Sequence, residues 1–412
     1  MVVSTRAAPR CAIPGSGSLR DIPDMLQGMD RQMRIAEIVD GLSADERKQN
    51  GSILESRLER MVELDASDVD MGGDGCSGLV WYRVSGRKRP ESALGYMSPD
   101  ESDLLLQGFL TDSQRAFLLK HRNLDFSYAL VRDGSTHRFR ADCYFDLGHL
   151  ALNMRMVPAV IRPLRSLGFH RKALERFSVL REKRGLILVT GITGSGKSAT
   201  LDSIVDANNA VAEAEIVIIA SPIEMVHRPD RCIVRHREVG RDVSSFKAGT
   251  VQCLRQDPDM IVIGEMRDPE TILTALEVTD SGHKVFSTLH TSSASESVDR
   301  IVGEVNPAEQ ERVRMRLGDV LSCVVSQKLV PDGSGGRVLA KEVLIVNPSV
   351  RAAIKNNNVG ELYQMMSESG KDGMTTLEQD LQRLVREKVI LAETAYDYAN
   401  NKRRMEALLG VR

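Results

Sequence analysis

The sequence predicts an α/β protein in which a small α+β domain precedes a larger domain built on a sheet of buried strands. Three observations predict it. From residue 185 onward, short continuous apolar runs (186–189, 216–219, 260–263 and 284–289) alternate with helical stretches. Strands covered on both faces have this texture. Before residue 158 the runs alternate instead, as in Phe126-Ser127-Tyr128-Ala129-Leu130 and Phe139-Arg140-Ala141-Asp142-Cys143-Tyr144, like strands of one antiparallel sheet. Finally, a glycine-rich loop joins the first buried run to a helix-forming stretch.

The elements follow in chain order. The first twenty residues hold Arg6, Arg10 and Arg20, no acid, and several Ser and Gly. A transit peptide has this bias and so does an unstructured tail; the tail is the expectation for residues 1–21. Residues 22–64 carry helical spacing (Met25, Leu26, Met29, Met33, Ile35, Ile38, Val39, Leu42), a stripe for a core or a partner helix. Residues 65–158 form the small α+β domain. In it Leu79-Val80-Trp81-Tyr82-Arg83-Val84 reads as a strand ended by Ser85-Gly86, residues 100–119 read as helical, and Asp133-Gly134 is a turn between two strands. Pro158 and Pro163 mark a linker over 159–184, the buried-strand core runs over 185–348, and residues 349–412 are helical and highly charged.

Composition excludes more than it selects. The net charge of −2 gives no whole-chain case for nucleic acid or an acidic membrane. Cys11, Cys76, Cys143, Cys232, Cys253 and Cys323 are scattered with no CxxC pair, against both a zinc ribbon and a disulfide framework. No apolar stretch approaches the ~20 residues that cross a bilayer.

Gly191-Ile192-Thr193-Gly194-Ser195-Gly196-Lys197-Ser198 fits GxxxxGK[ST] completely, and Ala199 opens the helix after it. Glycines let consecutive N–H groups turn toward one phosphate, and the helix N-terminus adds partial positive charge. Lys197 is expected to reach the β- and γ-phosphates of ATP and Ser198 to ligate Mg²⁺. The metal also needs an acid at a neighbouring strand's end. Glu265 supplies it, two residues beyond the apolar run Met260-Ile261-Val262-Ile263, where α/β sheets bind ligands.

At these residues the sequence resembles a known family. Gly264-Glu265-Met266-Arg267-Asp268 is similar to the Walker B box of the type II/IV secretion ATPases. Gly282-His283-Lys284-Val285-Phe286-Ser287-Thr288-Leu289-His290-Thr291 resembles their histidine box. Arg237-Glu238-Val239-Gly240-Arg241-Asp242 and Arg255-Gln256-Asp257-Pro258-Asp259 match the stretches between. Ala66-Ser67-Asp68, Phe139-Arg140 and Arg155 resemble the family's N-terminal domain. The resemblance implies a RecA-like P-loop ATPase domain preceded by a small PAS-like α+β domain. A further N-terminal domain and a four-cysteine site, usual in the extension and type II branches, are missing. Val350-Arg351-Ala352-Ala353-Ile354-Lys355 and Met374-Thr375-Thr376-Leu377-Glu378 resemble the pilus retraction (PilT) branch.

That likeness implies a homohexameric motor of a type IV pilus or related filament, cytoplasmic and peripheral at the inner membrane. Its partners would be a membrane platform protein and a paralogous ATPase, with no nucleic acid. Glu265 would hold Mg²⁺ through water or polarise the nucleophile, and His290 would sense the γ-phosphate. Arg140 and Arg155 would act as fingers toward a nucleotide of the neighbouring subunit or across the domain gap. One departure stands out. The family's acidic box Glu-Asp-Pro-Ile-Glu reads Ala220-Ser221-Pro222-Ile223-Glu224 here, so the first carboxylate, held to activate water, is absent, and Glu224 or Glu265 would have to orient it. A weakly hydrolysing regulatory paralogue and a secretion traffic ATPase therefore stay open beside the motor. A nucleic-acid motor is disfavoured by only 4 % aromatic residues.

Overall fold

The computed structural model describes residues 9–158 and 160–410. Two compact units emerge, the first from the chain up to residue 159 together with Pro222–Met225, the second from the remainder.

The first unit runs α1 (Gly28–Gly41), α2 (Ala44–Glu63), β1 (Asp68–Gly72), β2 (Trp81–Val84), β3 (Arg87–Pro90), α3 (Pro99–Phe109), α4 (Asp112–His121), β4 (Asn123–Arg132), β5 (Ser135–Asp146) and β6 (His149–Val157). Its six strands pair in the order β3-β2-β1-β6-β5-β4, every pair antiparallel. The β4–β5 turn is the two-residue Asp133-Gly134 connection, with both φ positive (48° and 76°), as a tight hairpin requires. Ile35, Leu58 and Leu104 from the helices share one core with Val69, Phe139 and Met154 from the sheet.

Periodicity concealed the helix boundaries here. The single stretch expected over 100–119 is two helices, because Thr111 leaves the helical path and its side chain caps α4 in a reciprocal box with Gln114. Ser43 does the same between α1 and α2, with Glu46. In the apolar stripe of 22–64, Ile35 and Val39 are buried, whereas Met25 and Met33 are exposed. The expected tail also differs. Residues 1–8 lie outside the described residues, but Cys11 N donates to Tyr96 O at 2.9 Å, and Ile13 and Leu19 are buried in the core. Two apolar anchors outweigh the Arg, Ser and Gly around them.

The second unit runs α5 (Arg171–Phe177), β7 (Gly185–Thr190), α6 (Lys197–Asn209), β8 (Glu215–Ala220), β9 (Ile233–Glu238), α7 (Phe246–Cys253), β10 (Met260–Ile263), α8 (Pro269–Asp280), β11 (Lys284–Leu289), α9 (Ala294–Gly303), α10 (Gln310–Val320), β12 (Leu321–Pro331), β13 (Arg337–Ile345) and five helices, α11 (Pro348–Lys355), α12 (Leu362–Glu368), α13 (Leu377–Arg386), α14 (Ala392–Tyr398) and α15 (Lys402–Leu409). Its sheet has the order β13-β12-β7-β11-β10-β8-β9. Each neighbouring pair is parallel except β12–β13. The four apolar runs are β7, β8, β10 and β11, and β7, β10 and β11 are buried throughout. Segment 159–184 is not featureless: Phe169 and Phe177 are buried and meet edge-to-face at 5.2 Å. The C-terminal helices form a small core of Leu377, Leu381, Leu384 and Met405 against Val330 and Ala340.

Candidate functional site

The site in the second unit begins at the carboxyl end of β7. Three glycines bend the loop that follows, with φ of 149° at Gly191, 80° at Gly194 and 88° at Gly196. Only glycine holds these angles without strain. At Gly191 space also demands it, since a Cβ would stand 2.5 Å from Gln327 O. Ile192, Thr193 and Gly194 are exposed. Ser195 is buried, and its hydroxyl has no hydrogen-bond partner among the described residues. Lys197 opens α6, and its amine donates back to Gly191 O at 2.8 Å and Ile192 O at 3.2 Å. Burial lowers the Lys197 pKa, an effect that Glu265 opposes. Ser198 and Ala199 are exposed in the first turn of the helix.

Two neighbouring strands bring the other groups. Glu265 lies two residues beyond β10, and His290 is the residue after β11. These strands are paired in parallel register, Ile263 opposite Ser287. Side chains then stitch the ends together: Ser287 Oγ donates to Ile263 O and Thr288 Oγ1 to Gly264 O, both at 2.7 Å. Met266 N donates to Thr288 O at 3.2 Å. The result puts His290 Nε2 3.1 Å from Glu265 Oε1. Arg267 Nε lies 2.6 Å from the same oxygen. Burial, and next the charge of Lys197, hold the His290 pKa below its ordinary value. His290 is then neutral near pH 7.

Thus the second unit gathers Lys197, Ser198, Glu265 and His290. The first unit holds the rest. Arg140 and Arg155 are direct cross-strand partners on β5 and β6. Arg155 Nε lies 2.8 Å from Asp68 Oδ1, and Arg140 Nη1 lies 3.3 Å from Glu224 Oε1. Glu224 belongs to this unit with Pro222–Met225, so its carboxylate is engaged by an arginine. Ala220 ends β8. Its Cβ faces Gly264, with only 3.2 Å to the place a Cβ there would take, so the missing carboxylate falls beside the strand end that presents Glu265.

The loop residues fit a phosphate group. The Ser195 hydroxyl is buried without a partner among the described residues, the Lys197 amine lies on loop carbonyls, and a Cβ at Gly194 would meet open space. Ser198 and Glu265 offer hard oxygen donors of the kind Mg²⁺ selects. Sequence reasoning missed Gln327. Its side chain donates to Ser195 O at 2.8 Å and accepts from Thr200 Oγ1 at 3.0 Å. No motif marks a glutamine 132 residues beyond its partner; only the β7–β12 pairing brings them together.

Comparison with known proteins shows the family. The family model described as Type II/IV secretion system protein matches residues 147–395. The chain is 38 % identical over 332 residues to a twitching motility protein of Neisseria gonorrhoeae, an alignment covering 80 % of this chain and 86 % of the relative. It is 38 % identical over 296 residues to the type IV pilus retractation ATPase PilT of Pseudomonas aeruginosa, covering 72 % and 84 %. The crystal structure of the pilus retraction motor PilT with bound ADP superposes with a TM-score of 0.76 at 35 % identity, covering 86 % of this chain and 98 % of that one.

Proposed function

The chain belongs to the type II/IV secretion ATPase family, in its PilT branch, and on that premise we propose that it is a ring-forming motor that retracts a type IV pilus by hydrolysing ATP. The observation that carries this is the meeting of Lys197, Glu265 and His290 at the carboxyl ends of β7, β10 and β11, three adjacent strands. A solved relative described as a retraction motor holds ADP, so a nucleotide is the natural ligand of the loop.

Hydrolysis joins water to the γ-phosphorus and breaks its bond to the β-phosphate bridging oxygen. The transition state is loose, so positioning and charge do most of the work. The loop N–H groups and Lys197 would hold the β- and γ-phosphate oxygens. A magnesium ion held by Ser198 and Glu265 would supply further positive charge there. Neutral His290 would orient the Glu265 carboxylate and register loss of the γ-phosphate. Arg140 and Arg155 would reach a nucleotide from the other domain, in the same or the next subunit, so that hydrolysis drives rotation. Such sharing implies a homohexameric ring with head-to-tail contacts. A membrane platform protein would take up the work, at the cytoplasmic side of the inner membrane. Among the described residues no helix is long and apolar enough to cross a membrane.

Ala220 favours a second reading, a slow ATPase that regulates an active paralogue in a mixed ring. Turnover of the purified chain with ATP and Mg²⁺, alone and with a paralogue, separates the two. Brisk turnover alone supports the motor. Turnover only in the mixture supports the regulator, and absence of ATP binding would defeat both.

A further inference from the structure

Gln327 is 1 % exposed and lies on β12. In the β12–β7 register Ser326 stands opposite Thr190, the last residue of β7, so Gln327 runs alongside the start of the phosphate loop. Its amide has one assignable orientation. Ser195 O can only accept, so Nε2 donates to it at 2.8 Å, and Oε1 is left to accept from Thr200 Oγ1 at 3.0 Å. One side chain therefore ties the middle of the loop to the first turn of α6. The loop is built close against it. A Cβ at Gly191 would fall 2.5 Å from Gln327 O, and one at Gly196 would fall 3.3 Å from Gln327 Nε2.

We propose that Gln327 is the positioning residue of the phosphate loop, setting its nucleotide affinity by fixing the Ser195–Gly196 peptide plane. In a trans peptide the C=O and N–H point to opposite sides. Holding Ser195 O toward β12 turns the Gly196 N–H away from it, toward the hollow of the loop. Without the amide, that peptide is free to turn about the Ser195 Cα–C and Gly196 N–Cα bonds, and Gly196, at φ 88°, has the wide conformational freedom of glycine. ATP would then have to order the loop on binding. Thr200 keeps the amide from flipping.

This inference rests on the reading of the loop as the nucleotide phosphate site, and the test keeps the two apart. ATP affinity is measured by titration calorimetry, KM and kcat by turnover, and stability by melting without nucleotide, in the full chain and in Gln327→Ala, Thr200→Val, their combination and Lys197→Ala. Gln327→Ala should weaken ATP binding and raise KM by roughly tenfold, the scale of one buried hydrogen bond lost with its partner stranded. Its kcat should change less than its KM. Thr200→Val should cost a few-fold, and the double variant should be no worse than Gln327→Ala, because the two act through one network. If Lys197→Ala abolishes binding while folded Gln327→Ala binds as well as the parent, the positioning role is wrong and the loop assignment stands. If Lys197→Ala binds normally, the loop assignment itself fails. Should Gln327→Ala not fold, Thr200→Val decides: unchanged affinity overturns the proposal, and a few-fold loss without a change in melting supports it.

Discussion

His290 Nε2 lies 3.1 Å from Glu265 Oε1, across the carboxyl ends of two adjacent parallel strands. The pair joins a group near the phosphate loop to the strand that follows, and it has a pH signature. Burial and the Lys197 charge hold the His290 pKa below its ordinary 6.5. Between the folded value and 6.5 the unfolded chain binds the proton and the folded chain does not. His290's contribution to stability is therefore complete above pH 6.5 and is lost as pH falls toward the folded value. His290→Gln should shrink the drop in melting temperature between pH 7.5 and 5.5. Equal drops in both proteins would show that the imidazole is not held neutral.

Glu342 on β13 gives the opposite slope. Its carboxylate accepts from Ala294 N at 2.7 Å, at the N-terminus of α9, yet burial pushes its pKa up to about 7. Between the ordinary 4.5 and 7 the folded chain binds the extra proton, so stability falls as pH rises through that window, by on the order of 3 kcal/mol in all. Glu342→Gln keeps an acceptor for Ala294 N and removes the charge. It should raise the melting temperature at pH 8 and change it little at pH 5. A variant less stable at both values would mean that the ionised carboxylate is needed.

Arg140 and Arg155 stand side by side on neighbouring strands, each with an acidic partner. If they act on a nucleotide, Arg140→Ala or Arg155→Ala should lower kcat roughly a thousandfold, the low side of an arginine finger's worth. ATP binding to a single subunit should persist. Unchanged turnover would make them surface ion pairs, worth about 0–1 kcal/mol.

Ala220 adjoins Gly264 and so the strand end that presents Glu265. A missing base typically costs ~10²–10⁴ in rate, less in a loose phosphoryl transfer. Slow turnover with ATP binding intact is expected. Restoring the family pattern with Ala220→Glu and Ser221→Asp should raise kcat at least about tenfold. A parent that is already fast and does not respond would show that another group places the water.

Much of the second unit was legible because its signals are local. The loop motif, the strand before it and the helix after it lie within one stretch, and Glu265 and His290 follow buried runs. What stayed hidden depends on pairing between distant strands. Gln327 reaches Ser195 only through the β12–β7 register, and Arg267 meets Glu265 only where the chain turns out of β10. Glu224 was expected to be able to orient water in place of the absent carboxylate, and its own carboxylate lies 3.3 Å from Arg140 Nη1. In the first unit the apolar period was readable while the helix breaks were not, since the apolar stripe runs on across Ser43 and Thr111, whose capping side chains start a new helix within it.

The most direct test of the account compares Lys197→Ala with Glu265→Gln, each measured for ATP binding and for turnover in the presence of Mg²⁺. Lys197 supplies phosphate charge, so its loss should abolish both. Glu265→Gln leaves a neutral side chain of the same shape beside His290, so binding should survive within a few-fold while turnover is lost. That split is the predicted result. Full turnover in either variant, or equal binding and hydrolysis in both and the parent, would contradict the site assigned to these residues.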